Sequence, residues 1–145
     1  MRRFLAALVM AVVLVGCREV RVNQVRSGTT PTIGPREVVV IRDRKGMEAI
    51  GVSAPANFRK EFVVVLLMGP HKETGYSQVV ESIRANSDRV RIVAFERPPL
   101  DGGEPAPKEY RTYTMWIVPN SVYRQGSKVD VVSPSGDPIA STTLR

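Results

Sequence analysis

The chain has 145 residues, 43% of them hydrophobic, and a formal charge of +7. That length fits one domain able to bury a substantial core. The composition narrows the chemistry further. A single cysteine (Cys17) rules out an internal disulfide, and that cysteine with a single histidine (His71) is too little for a zinc site built on Cys and His. The basic residues form no arginine-rich run and do not interleave with aromatics, so the charge does not read as a nucleic-acid footprint.

The first segment is ordered in three parts. Arg2 and Arg3 give a positive start, Phe4 to Val15 is an unbroken apolar run of 12 residues, and Gly16-Cys17 closes it. Twelve residues match a signal-peptide apolar region and fall short of the ~20 that span a bilayer. Charge, run length, small residue and cysteine in this order resemble the bacterial lipoprotein signal. In that signal the cysteine thiol receives a diacylglycerol group and the chain is cut just before it. The resemblance implies a cleaved signal peptide over residues 1–16, lipidation at Cys17, and an extracytoplasmic domain anchored to a bacterial cell membrane. Cys17 would then be unavailable as a nucleophile or metal ligand. Loss of Arg2 and Arg3 leaves a charge of +5, and Arg18, not aspartate, follows the cysteine.

Residues 17–35 read as a lipidated tether, with an edge strand in Val20 to Val25 and a loop from Ser27 to Thr32. Residues 36–145 read as one domain. Glu37 to Arg42 is a β-branched strand. Residues 43–51 carry a short helix with Asp43 as N-cap and Gly51 at its end. Phe62 to Met68 is the most apolar stretch after the signal, and its composition predicts a strand buried on both faces, stopped by Gly69-Pro70. Tyr76 to Ile83 and Arg89 to Ala94 flank the turn Asn86-Ser87-Asp88 and predict a hairpin. Residues 97–108 are a proline- and glycine-rich loop. Tyr110 to Val118 alternates, with Tyr113, Met115 and Ile117 on one face and Thr112, Thr114, Trp116 and Val118 on the other. Val129 to Val132 and Ile139 to Leu144 are short final strands. The pattern predicts a mainly β chain: a single antiparallel β-sandwich or partly open barrel with one short helix.

The residues that carry enzyme chemistry are sparse. His71 follows Gly69-Pro70 and reads as an exposed loop residue. Gly75-Tyr76-Ser77-Gln78-Val79 begins like a nucleophile elbow but lacks the second glycine. Gly102-Gly103 is followed by no Gly-Lys-Ser/Thr, and Glu61, Glu73, Glu81 and Glu96 fall on different elements. The reading is of a non-enzyme without cofactor. The turn Thr74-Gly75-Tyr76-Ser77 and the loop 98–107, with Leu100, are the candidate partner surface: Gly75 is free to take positive φ, and Tyr76 offers a large ring with a hydroxyl.

Taken in order, the apolar Phe62 to Met68, Gly69, the turn Thr74-Gly75-Tyr76-Ser77, a hairpin, the proline-rich loop and the strand from Tyr113 to Pro119 resemble the C-terminal domain of the PrcB family, subunits of a bacterial surface protease complex. The resemblance covers residues 36–120. The chain departs from the family at Glu73-Thr74, which replaces a Thr-Gly pair, and at Tyr113-Thr114-Met115, where a Pro-Tyr is usual. It implies a non-catalytic domain that binds or stabilises an envelope partner, a protease among the candidates. The Gly75-Tyr76 turn by itself resembles the loop of chagasin-like cysteine-protease inhibitors, which gives the alternative of a loop-based inhibitor. A structural or ligand-binding envelope module with no protease link is the third reading.

Overall fold

The computed structural model describes residues 19–145; the signal segment, Cys17 and Arg18 lie outside the described residues. Eight strands and one helix follow in the order β1 (Asn23–Thr30), β2 (Glu37–Ile41), α1 (Arg44–Ala49), β3 (Glu61–Glu73), β4 (Ser77–Ala85), β5 (Arg89–Arg97), β6 (Pro105–Pro119), β7 (Lys128–Val132) and β8 (Pro138–Thr143), with a 3-10 turn at Asn120–Val122. They form two four-stranded sheets, ordered β1-β6-β3-β2 and β4-β5-β7-β8. The predicted mainly β sandwich with one short helix is the observed architecture, and no closed barrel forms. All pairings are antiparallel except β5 with β7, which run parallel because the chain crosses through β6 in the other sheet between them.

The strand from Phe62 onward is central because its two faces feed two cores. Phe62, Val64, Leu66 and Met68 point between the sheets and meet Trp116, Val118, Val90, Ile92, Ala94, Val129 and Val131. Val63, Val65 and Leu67 point the other way, with Tyr113 and Met115, and are covered by Met47 of α1 and by Val52. A two-residue side-chain period on β3 and β6 thus fills two layers at once, which is why neither strand has an exposed face over this length. Asp43 caps α1, its Oδ1 accepting from the Gly46 amide at 2.7 Å. Both cores and every strand pairing close within residues 20–144.

Three stretches expected as breaks are strand. Ser27 to Thr30 pairs with Thr114 to Arg111 and completes β1. The stretch carries turn-forming residues, but small side chains fit an exposed edge: an added Cβ at Gly28 would stand 3.3 Å from the Tyr113 hydroxyl. Of the edge strand expected over Val20 to Val25, Asn23 to Val25 open β1 at the sheet edge, and Val20 makes only a single bridge, to Ala85. Gly69-Pro70 does not end β3. The pairing with β6 shifts register between Met68 and His71, so the proline, which has no N–H to give, sits where the ladder is already interrupted. Finally, Pro105 to Lys108 belongs to β6, with Pro105 opposite Glu73 at the strand's outer end.

Candidate functional site

The β3–β4 turn and the β5–β6 loop lie together at one end of the sandwich. Ser77 opens β4 directly opposite Arg97, the last residue of β5, so the two connections leave the sheet side by side. The Thr74 amide donates to the Glu104 carbonyl at 2.8 Å, and its hydroxyl reaches the same oxygen at 3.3 Å. Gly75 has φ +97°, and a Cβ on it would stand 2.7 Å from Pro99 Cβ. Glycine is required there twice over, by the backbone and by the neighbouring loop. Gly103 has no room for a side chain either, since its Cβ would collide with the Thr74 carbonyl oxygen. The loop is therefore pressed backbone to backbone against the turn.

The predicted surface residues take different positions on this end. Thr74, Gly75 and Ser77 are exposed, and Leu100, at 94% exposure, projects from the tip of its loop. Tyr76 is half-buried. Its ring stacks on His71 with centroids 3.8 Å apart and planes 9° from parallel. His71 is accordingly not an exposed loop residue: its side chain is 12% exposed, it lies on β3, and Tyr110 packs on it with centroids 5.6 Å apart. The continuation of β3 past Pro70 brings it back against the opposite sheet.

A polar chain runs from His71 into the space between the sheets. His71 Nε2 is 2.9 Å from Glu96 Oε1 without making an aligned hydrogen bond to it. The other Glu96 oxygen accepts from the Thr112 hydroxyl. Gln78 Nε2 approaches that hydroxyl at 3.2 Å, the Thr112 carbonyl at 3.0 Å and the Leu66 carbonyl at 3.1 Å. Gln78, on β4, thereby ties the second sheet to backbone carbonyls of β3 and β6, close to the register shift after Met68. Tyr110 donates to the Glu73 carbonyl at 2.7 Å, fixing the strand just before the turn. Burial raises the Tyr110 pKa above 10.0; the Tyr76 backbone N–H opposes this, while the Glu96 charge adds to it.

Two further features at this end were not anticipated. Ile33, 74% exposed, sits in the β1–β2 connection, which returns to the sheet at the same end. An isolated isoleucine within Pro31-Thr32-Ile33-Gly34-Pro35 has no alternating partner to bury it, and that was the available signal. Arg111, 3% exposed, anchors this connection: Nε donates to the Thr32 carbonyl at 3.0 Å, Nη1 to the Pro35 carbonyl at 3.0 Å and to Glu37 Oε1 at 2.8 Å, and Nη2 to Thr32 Oγ1 at 3.0 Å. An open groove of about 710 Å³ runs alongside, lined by Pro70, His71, Phe95, Glu96, Asp137 and Ile139 among others.

This arrangement suits binding. The exposed apolar groups sit on connections whose backbones are held by neighbouring strands. Among the described residues no group of three or more His, Cys, Asp or Glu is placed to hold a metal ion. Ser77 Oγ makes no hydrogen bond there, and the imidazole is held between Tyr76 and Glu96. The chain matches no model of a known protein family, and no curated protein or solved structure was found similar to it.

Proposed function

We propose that this chain is a lipid-anchored, non-catalytic β-domain of a bacterial cell envelope, whose loop end binds or stabilises an envelope protein, with a protease as the first class of partner to test. The anchor rests on the order of Arg2-Arg3, the apolar run and Gly16-Cys17. The partner class rests on the PrcB-like succession of residues 36–120. The observation that carries the binding role is the convergence of the Thr74–Ser77 turn with the Leu100 loop, joined through Thr74 and Glu104, with Leu100 left almost wholly in solvent. One exposed leucine is ordinary on any protein. Leu100 and Ile33, both exposed on connections at the same end of the sandwich, are a less ordinary coincidence.

The experiment is co-purification from solubilised envelope of the wild-type chain and of Leu100→Asp, with identification of what is retained. A discrete protein lost with Leu100→Asp supports the reading, and identical retention by both chains overturns it. A panel of cysteine and serine proteases assayed with the purified domain separates the inhibitor alternative, which requires loss of protease activity at stoichiometric domain. For the anchor, Cys17→Ser is expected to leave the membrane fraction or to accumulate as precursor. A Cys17→Ser chain of mature mass that stays in the membrane fraction contradicts lipidation.

A further inference from the structure

The end of the sandwich opposite the loop end is basic, and it is also the end at which the chain enters the fold. The Val20 amide donates to the Ala85 carbonyl at 2.9 Å, at the base of the β4–β5 turn. Cys17 is three residues earlier, and three peptide steps reach at most about 11 Å. A lipid on Cys17 therefore holds this end next to the bilayer. β1 then runs away from it to Thr30, where it pairs with Arg111.

Several exposed cations gather at the same end. Arg89 lies opposite Lys128 across the parallel β5–β7 pair, and both line a groove of about 460 Å³ with Asn86, Asp88 and Gly126. Arg124 is joined to this region through its carbonyl, which accepts from the Ser127 amide at 3.0 Å. Arg59 and Lys60 precede β3, their carbonyls bonded to Asn120 at the far end of β6. Arg84 is 3.7 Å from Glu19. The acids at this end are fewer than the cations and mostly engaged: Glu19 with Arg84, Asp130 with Arg89 at 3.1 Å, Glu61 with the Asn57 amide at 2.8 Å, and Asp88 in the groove beside Arg89. At the loop end the signs are mixed, with Glu73, Asp101, Glu104 and Glu109 among Lys72, Arg97 and Lys108.

We infer that the basic end is a membrane-contact face that lies against anionic phospholipid head groups and sets the orientation of the domain. Its place beside the lipid rests on the anchor reading above; its charge does not. A lipid alone fixes one point and leaves the domain free to tilt. A second, electrostatic contact beside it restrains the tilt and points the β3–β4 turn and the Leu100 loop outward. The eight residue steps of β4 from Ser77 to Ala85 place those loops roughly 27 Å beyond the membrane-facing end. Each basic residue brought to an anionic surface is worth about 1 kcal/mol, or about fivefold in partitioning.

The test uses lipid-free residues 19–145, which contain both sheets and both cores, in vesicle co-sedimentation at low salt. Leaving out Cys17 separates this inference from the anchor, which the Cys17→Ser fractionation tests in cells. The domain is expected to bind vesicles of phosphatidylglycerol and phosphatidylcholine in preference to phosphatidylcholine alone, and to be released by salt. Lys60, Arg124 and Lys128 are exposed and make no ion pair among the described residues. Reversing all three to glutamate should weaken binding by at least about a hundredfold, with an unchanged melting temperature. Reversing Arg97 and Lys108 at the loop end should change it little. Equal binding to both vesicle types, or equal effects of reversal at either end, overturns the inference.

Discussion

Replacing Tyr76 with alanine separates the two things its ring does at the loop end. The ring is half-buried and stacked on His71 at 3.8 Å. A tyrosine that buries half of its ~150–200 Å² loses roughly 80–100 Å² of contact on truncation, about 2 kcal/mol at ~25 cal/mol per Å². The stacked pair adds about 1 kcal/mol. The expected loss is therefore about 3 kcal/mol, a large share of a typical stability of ~5–15 kcal/mol. For a domain of this size that is a fall of about 12 °C in melting temperature. Urea denaturation followed by Trp116 fluorescence measures it, since Trp116 is buried in the inter-sheet core. Tyr76→Phe keeps the stacked ring and should stay within about 1 kcal/mol of wild type. A cycle with His71→Ala should return a coupling of about 1 kcal/mol between the two rings. If Tyr76→Ala is within about 0.5 kcal/mol of wild type, the ring is not structural and its contact with His71 carries no weight.

Three other outcomes follow from the packing. Leu66 is fully buried between the sheets, so Leu66→Ala should cost about 2–5 kcal/mol in the same titration, whereas exposed Lys60→Ala should be neutral. Arg111→Ala strands the Thr32 and Pro35 carbonyls and the Glu37 carboxylate; a loss of about 3 kcal/mol is expected, at the low end for a broken buried pair because Glu37 is partly solvated. Tyr110 keeps its proton above its ordinary pKa of 10.0, first because burial disfavours the phenolate. A raised folded-state value means its contribution is fully present below pH 10 and is lost as pH climbs through the folded value. The ultraviolet phenolate titration should accordingly lose a component that ionises above pH 10 in Tyr110→Phe, and that variant should show a shallower alkaline loss of stability.

The sequence announced its core better than its edges. Phe62 to Met68 was legible because seven consecutive apolar residues, three of them β-branched, have few other uses in a folded domain, and Asp43 with Gly51 bounded the helix by the ordinary capping rules. Ser27 to Thr30 was not legible as strand. An exposed edge strand needs no apolar face, so its pattern is indistinguishable from loop. Gly69-Pro70 misled for a different reason: local chemistry marks a break, and only the β6 partner reveals that the ladder resumes at His71 and Tyr110. The turn at Gly75 and the Leu100 loop were found as separate features. Their union through Thr74, Pro99 and Gly103 is a tertiary fact that no local pattern encodes. The same holds for His71, whose environment is supplied by Tyr76, Glu96 and Tyr110 from three other parts of the chain.

The central claim is that the loop end is the binding end, and site-specific photocrosslinking in the native envelope tests it most directly. A photoreactive residue is placed at position 100, and in a second chain at Ser121, an exposed position beside Asn120 at the opposite end of β6. The account predicts one discrete crosslinked protein from position 100 that is absent from position 121. The same adducts from both positions, or an adduct from position 121 alone, would contradict it.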